Sequence, residues 1–246
     1  MFNSPSSFGG LPPVVKNLLI INIICFIGGE LIFQKANLLF GVFYPDSPGF
    51  HWWQVFTYMF MHGGFAHIFF NMFALFMFGP ILEHILGSKK FINYYLITGL
   101  GALALQFAVQ AYEVHAIMGT VSASHTIDFN VIQRTAQGPI PQELTEGQIQ
   151  TLISIYVLPM VGASGAIFGL LVAFGYLFPN TELYLFFIPI PIKAKIFIPI
   201  YIILELFLGV SRFANDSVAH FAHLGGALFG FILIKLWGIK RPGLWS

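Results

Sequence analysis

The chain is built from long apolar runs separated by short polar interruptions. Six runs, at residues 14–33, 65–86, 91–112, 152–178, 195–210 and 218–237, approach the roughly 20 residues that a helix needs to cross a bilayer core about 30 Å thick. They predict an all-α fold, a polytopic bundle of six transmembrane helices forming a single domain over residues 1–246. Two connecting segments break the rhythm. Residues 34–58 mix Phe40, Phe43, Tyr44, Phe50, Trp52 and Trp53 with Pro45, Asp46, Pro48 and Gly49. Such a stretch is too interrupted to span, and its aromatics suit the headgroup level. Residues 113–150 carry His115, His125, Asp128, Arg134, Glu143 and Glu146, a polarity that keeps the insertion out of hydrocarbon. Towards its end Ile149, Leu152, Ile153, Tyr156 and Val157 keep helical spacing up to Pro159, so the chain is expected to enter the membrane through an amphipathic turn.

Composition sharpens this picture. Hydrophobic residues make up 57% of the chain and charged residues 9%, with a mean hydropathy of +0.80, far from the roughly 25% charge of a soluble domain. Lys16, Lys89, Lys90, Lys193, Lys195, Lys235, Lys240 and Arg241 fall on one side of the predicted spans, and only Lys35, Arg134 and Arg212 on the other. That bias predicts both termini in the cytoplasm. The first apolar run has no small-residue cleavage site and reads as a retained span. Cys25 is the only cysteine, which excludes an intramolecular disulfide. A net charge of +1 without a basic stripe gives no sign of nucleic acid binding.

Counting along the helices assigns depths. Ser164 lies 15 residues from Pro179 and His223 lies 14 from Trp237, each roughly 21–22 Å above the inner end of its span. Asn71, 16 residues from Gly87, lies at roughly 24 Å, with His67 one turn higher. A hydroxyl, an imidazole and an amide thus share the outer third of the membrane, where polar side chains are costly and face a bundle interior or a wet cavity. Each also has a plainer explanation. Serine among glycines and alanines is ordinarily a packing device, Gly226 and Gly230 have the G-x-x-x-G spacing of closely packed helices, and Asn71 would serve as interhelical glue.

The motifs MHGGFAHIFFNMFALFMFG (61–79), GASGAIFG (162–169) and AHLGGALFG (222–230), in this order and on these spans, resemble the rhomboid family of intramembrane serine proteases. The likeness extends over about residues 14–237. It implies Ser164 as nucleophile and His223 as general base, a dyad without an acidic third member. His67 and Asn71 would form the oxyanion hole with the Ser164 N–H, Gly162 would match the glycine two before the serine, and Phe168 an aromatic position one turn after it. His62 resembles a position that braces the first loop, and Glu83 a structural one. Where the family often carries Trp-Arg, this chain has Trp53-Gln54, which questions how that loop is anchored. The insertion 113–150 is also unlike compact members and is open to reading as lid, partner surface or spacer.

The residue types suit that chemistry. A serine hydroxyl attacks poorly until a base takes its proton, and histidine titrates in the right range. No acid stands at the same depth, so the His223 ring is expected to be oriented by packing against Phe168. His220, three residues earlier, competes for the base role, although the HLGG match favours His223. Glu30 and Glu205 are intramembrane carboxylates, read as protonated or hydrogen-bonded structural groups. The expected activity is hydrolysis of peptide bonds in or next to transmembrane helices of membrane-anchored proteins, in a bacterial cytoplasmic membrane, with the site opening outward. No cofactor is expected, the partners are transmembrane substrates and lipid, and the oligomeric state is open. The alternative is a non-catalytic rhomboid-like protein that binds transmembrane helices. A metal or haem protein, suggested by His62, His67, His220 and His223, lacks an H-E-x-x-H motif or carboxylate-rich ligand set.

Overall fold

A computed structural model describes residues 10–33, 35–138, 140–185, 188–211 and 219–242. The predicted ends at Gln34 and Val218, and the outer-side Arg212, lie outside them. Helix α1 (Pro13–Leu31) begins with proline, which suits a first helical turn. Short helices α2 (Ala36–Phe40) and α3 (Gln54–Thr57) and a 3₁₀ turn (Tyr58–Phe60) follow within the first loop. Then come α4 (Phe65–Leu86), α5 (Ser88–Met118), the hairpin β1 (Asp128–Asn130) and β2 (Thr135–Gln137), α6 (Glu146–Val157) and α7 (Ser164–Leu177). A second hairpin, β3 (Glu182–Leu185) and β4 (Ile188–Lys193), leads to α8 (Ala194–Ser211) and α9 (His220–Leu236). The fold is that of a polytopic helical membrane protein, with two small antiparallel hairpins as its non-helical additions.

Among the described residues α1, α4, α5 and α8 are long and apolar enough to cross a membrane, while α7 and α9 are shorter apolar helices. The predicted run 152–178 is therefore not one helix. It breaks between Val157 and Ser164, where Pro159 removes a backbone donor and Gly162 takes φ +127°. Helix α5 differs in the opposite direction. It passes Glu113 and His115 and stops at Gly119, whose left-handed backbone (φ +72°) accepts the turn.

At the centre α5, α7 and α9 pack on small residues. A Cβ at Gly226 of α9 would collide with the carbonyl of Gly165 on α7, and one at Gly230 would lie 2.8 Å from the Gly169 Cα. The Tyr94 hydroxyl of α5 donates to the Gly169 carbonyl at 2.8 Å. Glu83 ties α4 to the start of α1: its carboxylate accepts from the Val14 N–H (3.1 Å) and the Val15 N–H (2.8 Å), groups that the helix itself leaves unbonded. Glu83 thus has the structural place that its position suggests.

The insertion forms a compact unit of its own. Val114, Ala123, Ile127, Phe129, Leu152, Ile155, Tyr156 and Val157 bury one another together with Tyr44 of the first loop. Helix α6 opens with a capping box, in which Thr145 accepts from the Gln148 N–H at 3.3 Å and Gln148 accepts from the Thr145 N–H at 2.9 Å. Asp46 fastens the first loop to this unit, accepting from the Ser122 hydroxyl (2.8 Å), the Ala123 and Ser124 N–H groups (3.1 and 3.2 Å), the Ser124 hydroxyl (3.0 Å) and the Tyr156 hydroxyl (2.7 Å). Burial works to raise the Asp46 carboxyl, but the hydrogen bonds from Tyr156, Ser122 and Ser124 outweigh it and hold the group below the usual carboxylate range.

Candidate active site

Ser164 is the first residue of α7, directly after the Gly162 turn. The close approach of Gly226 to Gly165 brings α9 against this end of α7. His223 sits three residues before Gly226 and so faces the serine. Its Nε2 lies 2.8 Å from the Ser164 Oγ, between residues 59 apart in sequence. The His223 ring stacks on Phe168, with centroids 4.3 Å apart and planes within 9°. The expected packing partner is therefore present, but the expectation that packing orients the ring without an acid is corrected. Glu205 of α8 sets Oε2 2.9 Å from the His223 Nδ1 and 2.6 Å from the His220 Nδ1.

The sequence contained a usable signal for this arrangement. A buried carboxylate needs a partner, and Glu205 is 4% exposed. Counting from Lys195, it stands roughly 15 Å up its span, about one turn below His223. Equal depths were the wrong criterion, because a glutamate side chain reaches across a turn.

His67 and Asn71 lie four residues apart and share one face of α4. The His67 Nδ1 accepts from the Gly63 N–H at 3.3 Å, which leaves the Nε2 as the hydrogen-bearing nitrogen. That Nε2 points at the Gly162 turn: a Cβ added at Gly162 would lie 2.7 Å from it and 3.6 Å from the Ser164 Oγ. The absence of a side chain at Gly162 is what opens the space between serine and imidazole. Asn71 is buried, and its Nδ2 has no hydrogen-bond partner among the described residues. The Asn71 Nδ2 thus makes no hydrogen bond to Ser164.

The first loop is anchored without an arginine. Gln54 is fully buried, accepts from the His51 N–H at 2.9 Å and donates to the Gly49 carbonyl at 3.0 Å. Trp53 Nε1 donates to the Leu39 carbonyl at 3.0 Å. A neutral amide thus satisfies loop carbonyl and amide groups together, which a guanidinium, a donor only, would not. His62 accepts through its backbone carbonyl from Asn37 at 3.1 Å, and its ring packs edge-on to His67 with centroids 5.1 Å apart. Burial, followed by the neighbouring His67, lowers the His62 imidazole to about 4 and keeps it neutral near pH 7. Glu30 lies apart from this site and lines a cleft beside α1 with Cys25 and His62.

Long apolar helices define a polytopic helical membrane protein, and a serine at the start of one helix meets a histidine of another. A family model described as the rhomboid domain matches residues 49–239, and the chain belongs to the rhomboid family. It is 28% identical over 225 residues to an uncharacterized mitochondrial rhomboid protein of Schizosaccharomyces pombe, covering 79% of this chain and 56% of that protein. It is 26% identical over 193 residues to the rhomboid protease GluP of Bacillus subtilis, covering 78% of this chain and 27% of GluP. With the rhomboid protease AarA of Providencia stuartii it shares 28% over 178 residues, 58% of this chain and 63% of AarA. The chain thus spans less than two thirds of the length of each of these relatives.

Proposed function

We propose that the protein is an intramembrane serine endopeptidase acting on membrane-anchored proteins. The observation that carries this reading is the 2.8 Å approach of the His223 Nε2 to the Ser164 Oγ at the meeting of α7 and α9. Ser164 is the nucleophile and His223 the general base. The serine proton passes to Nε2 as Oγ bonds to the scissile carbonyl carbon, and His223 then gives that proton to the leaving amine. Water hydrolyses the acyl-enzyme by the same steps. The Ser164 N–H, which as the first of its helix has no intrahelical acceptor, and the side-chain donors of His67 and Asn71 are suited to the developing oxyanion, where loss of one donor typically costs about 10²–10³ in rate.

Six crossings in one domain follow from the apolar runs, with short α7 and α9 completing the bundle. The Lys and Arg bias favours both ends of this chain on the cytoplasmic side and the serine towards the outer side, and the likeness to the Bacillus and Providencia rhomboid proteases favours a bacterial cytoplasmic membrane. Carbonyls in a transmembrane helix are already hydrogen-bonded, so substrates must unwind locally, which favours small or helix-breaking residues at the cut. Ser164→Ala is expected to abolish cleavage of a single-span model substrate in liposomes while thermal unfolding in detergent stays as in the wild type. Cleavage retained by Ser164→Ala would refute the assignment.

A further inference from the structure

We propose that Glu205 completes a serine–histidine–glutamate triad in place of a dyad, as the positioning residue that holds His223 in its working tautomer. The inference rests on the protease reading above. Helix α8 presents one stripe to the rest of the bundle, Tyr201, Glu205 and Gly209, spaced four apart. Each member meets the site's own surroundings. The Tyr201 ring packs against Phe168 with centroids 5.0 Å apart, and Phe168 is the ring on which His223 stacks. Glu205 reaches both histidines. A Cβ at Gly209 would come within 3.1 Å of the His220 Cβ, so the small residue lets the start of α9 approach. Ala194 and Ile198 continue this buried face towards the start of α8, while Ile196, Ile200, Ile203, Leu204, Phe207 and Val210 are exposed on the others.

The chemistry follows from donor counting. A carboxylate oxygen accepts, so with Oε2 2.9 Å from the His223 Nδ1, the ring proton belongs on Nδ1. The Nε2 lone pair is then left facing the Ser164 hydroxyl 2.8 Å away. When the serine proton moves to Nε2, the ring becomes an imidazolium. Glu205 stays an unprotonated acceptor and offsets that charge in surroundings of low polarity, where the interaction is stronger than in water. The proton goes on to the leaving amine, and nothing is transferred to Glu205. His220 donates to the same oxygen at 2.6 Å and fixes the carboxylate from its other side. A buried carboxylate held by two imidazoles, one of them in contact with the serine, is more than a structural ion pair.

The test uses the full chain in liposomes, a fluorogenic single-span peptide as substrate and a fluorophosphonate probe. Glu205→Gln keeps the shape and removes the charge. It is expected to lower kcat by about 10²–10⁴-fold, in the range known for loss of a triad acid, with KM within about threefold. Fluorophosphonate labelling of Ser164 should slow in parallel, with unchanged thermal unfolding. Wild-type kcat in Glu205→Gln, or an effect confined to KM, would overturn the triad. A second measurement does not depend on that variant folding. The wild type should show strongly downfield imidazole N–H proton resonances, one lost in His223→Ala and another in His220→Ala; absence of the His223 signal would overturn the proposal. So would stoichiometric zinc in the purified protein with activity abolished by a chelator, since Glu205, His220 and His223 would then be ligands. Ser164→Ala separates the two levels: if it still cleaves, the protease reading fails, whereas an inactive Ser164→Ala beside a fully active Glu205→Gln removes the triad alone.

Discussion

Asp46 and Glu205 are both carboxylates drawn away from water, and each gathers donors from distant parts of the chain. Their partners differ in kind. Asp46 is met by hydroxyls and backbone N–H groups of residues 122–124 and Tyr156, none of which changes its charge near neutral pH. Glu205 is met by two imidazoles, one of which touches Ser164. The first arrangement fastens a loop to an insertion. The second connects a fixed charge to a base and, through it, to a hydroxyl. What a shielded carboxylate does is thus decided less by how far it is buried than by whether its donors can pass their state on to a further atom.

The largest expected effect separates the two histidines on Glu205. His223→Ala should reduce kcat by about 10⁴-fold or more, as loss of a triad base does, and should suppress fluorophosphonate labelling. His220→Ala should leave the Ser164–His223 contact in place and slow labelling less. Labelling rates of the two variants in one preparation decide this, and the reverse order would move the base to His220.

Next in size is Gly162→Ala. An alanine at φ +127° is strained by about 1–3 kcal/mol, and its methyl would occupy the space between His67 and Ser164. Peptidase activity should fall by about 10- to 10²-fold, as for a weakened oxyanion donor, and kcat with the fluorogenic peptide measures it. Unchanged kcat would mean that the gap beside Gly162 has no part in the reaction.

The smallest effect on catalysis is expected at Asp46. Asp46→Asn removes the charge that five donors share and should cost about 1–3 kcal/mol, seen as faster hydrogen exchange in residues 119–124. The kcat should stay near wild type if the insertion unit is a fixture and not a lid. The pH dependence has a defined sign. The folded Asp46 carboxyl is lowered, so its stabilisation is fully present above its unfolded value of about 3.9 and is lost as pH falls through the folded value. Hydrogen exchange in the insertion unit should therefore show an acid-triggered loosening below about pH 4 that Asp46→Asn lacks.

The apolar runs by themselves determined the spanning helices, because hydrocarbon forces every backbone group into a helix and punishes charge locally. The glycine-flanked Ser164, the HLGG segment after His223 and the polar insertion were likewise legible, since each is a contrast with its immediate neighbours. The break between Val157 and Ser164 was less so, because apolar residues continue through it and only Pro159 and Gly162 mark the turn. The six extra residues at the end of α5 were hidden by Glu113 and His115, whose polarity mimics a helix end. What only the tertiary structure decided is the meeting of Glu205 with His223 and of Asp46 with the insertion. Depth can be counted along a helix, but its rotation and the side of its neighbour that it faces are set by packing, here by Gly165 against Gly226 and Gly209 against His220. A contact between side chains on different helices depends on that rotation, which no local pattern of residues encodes.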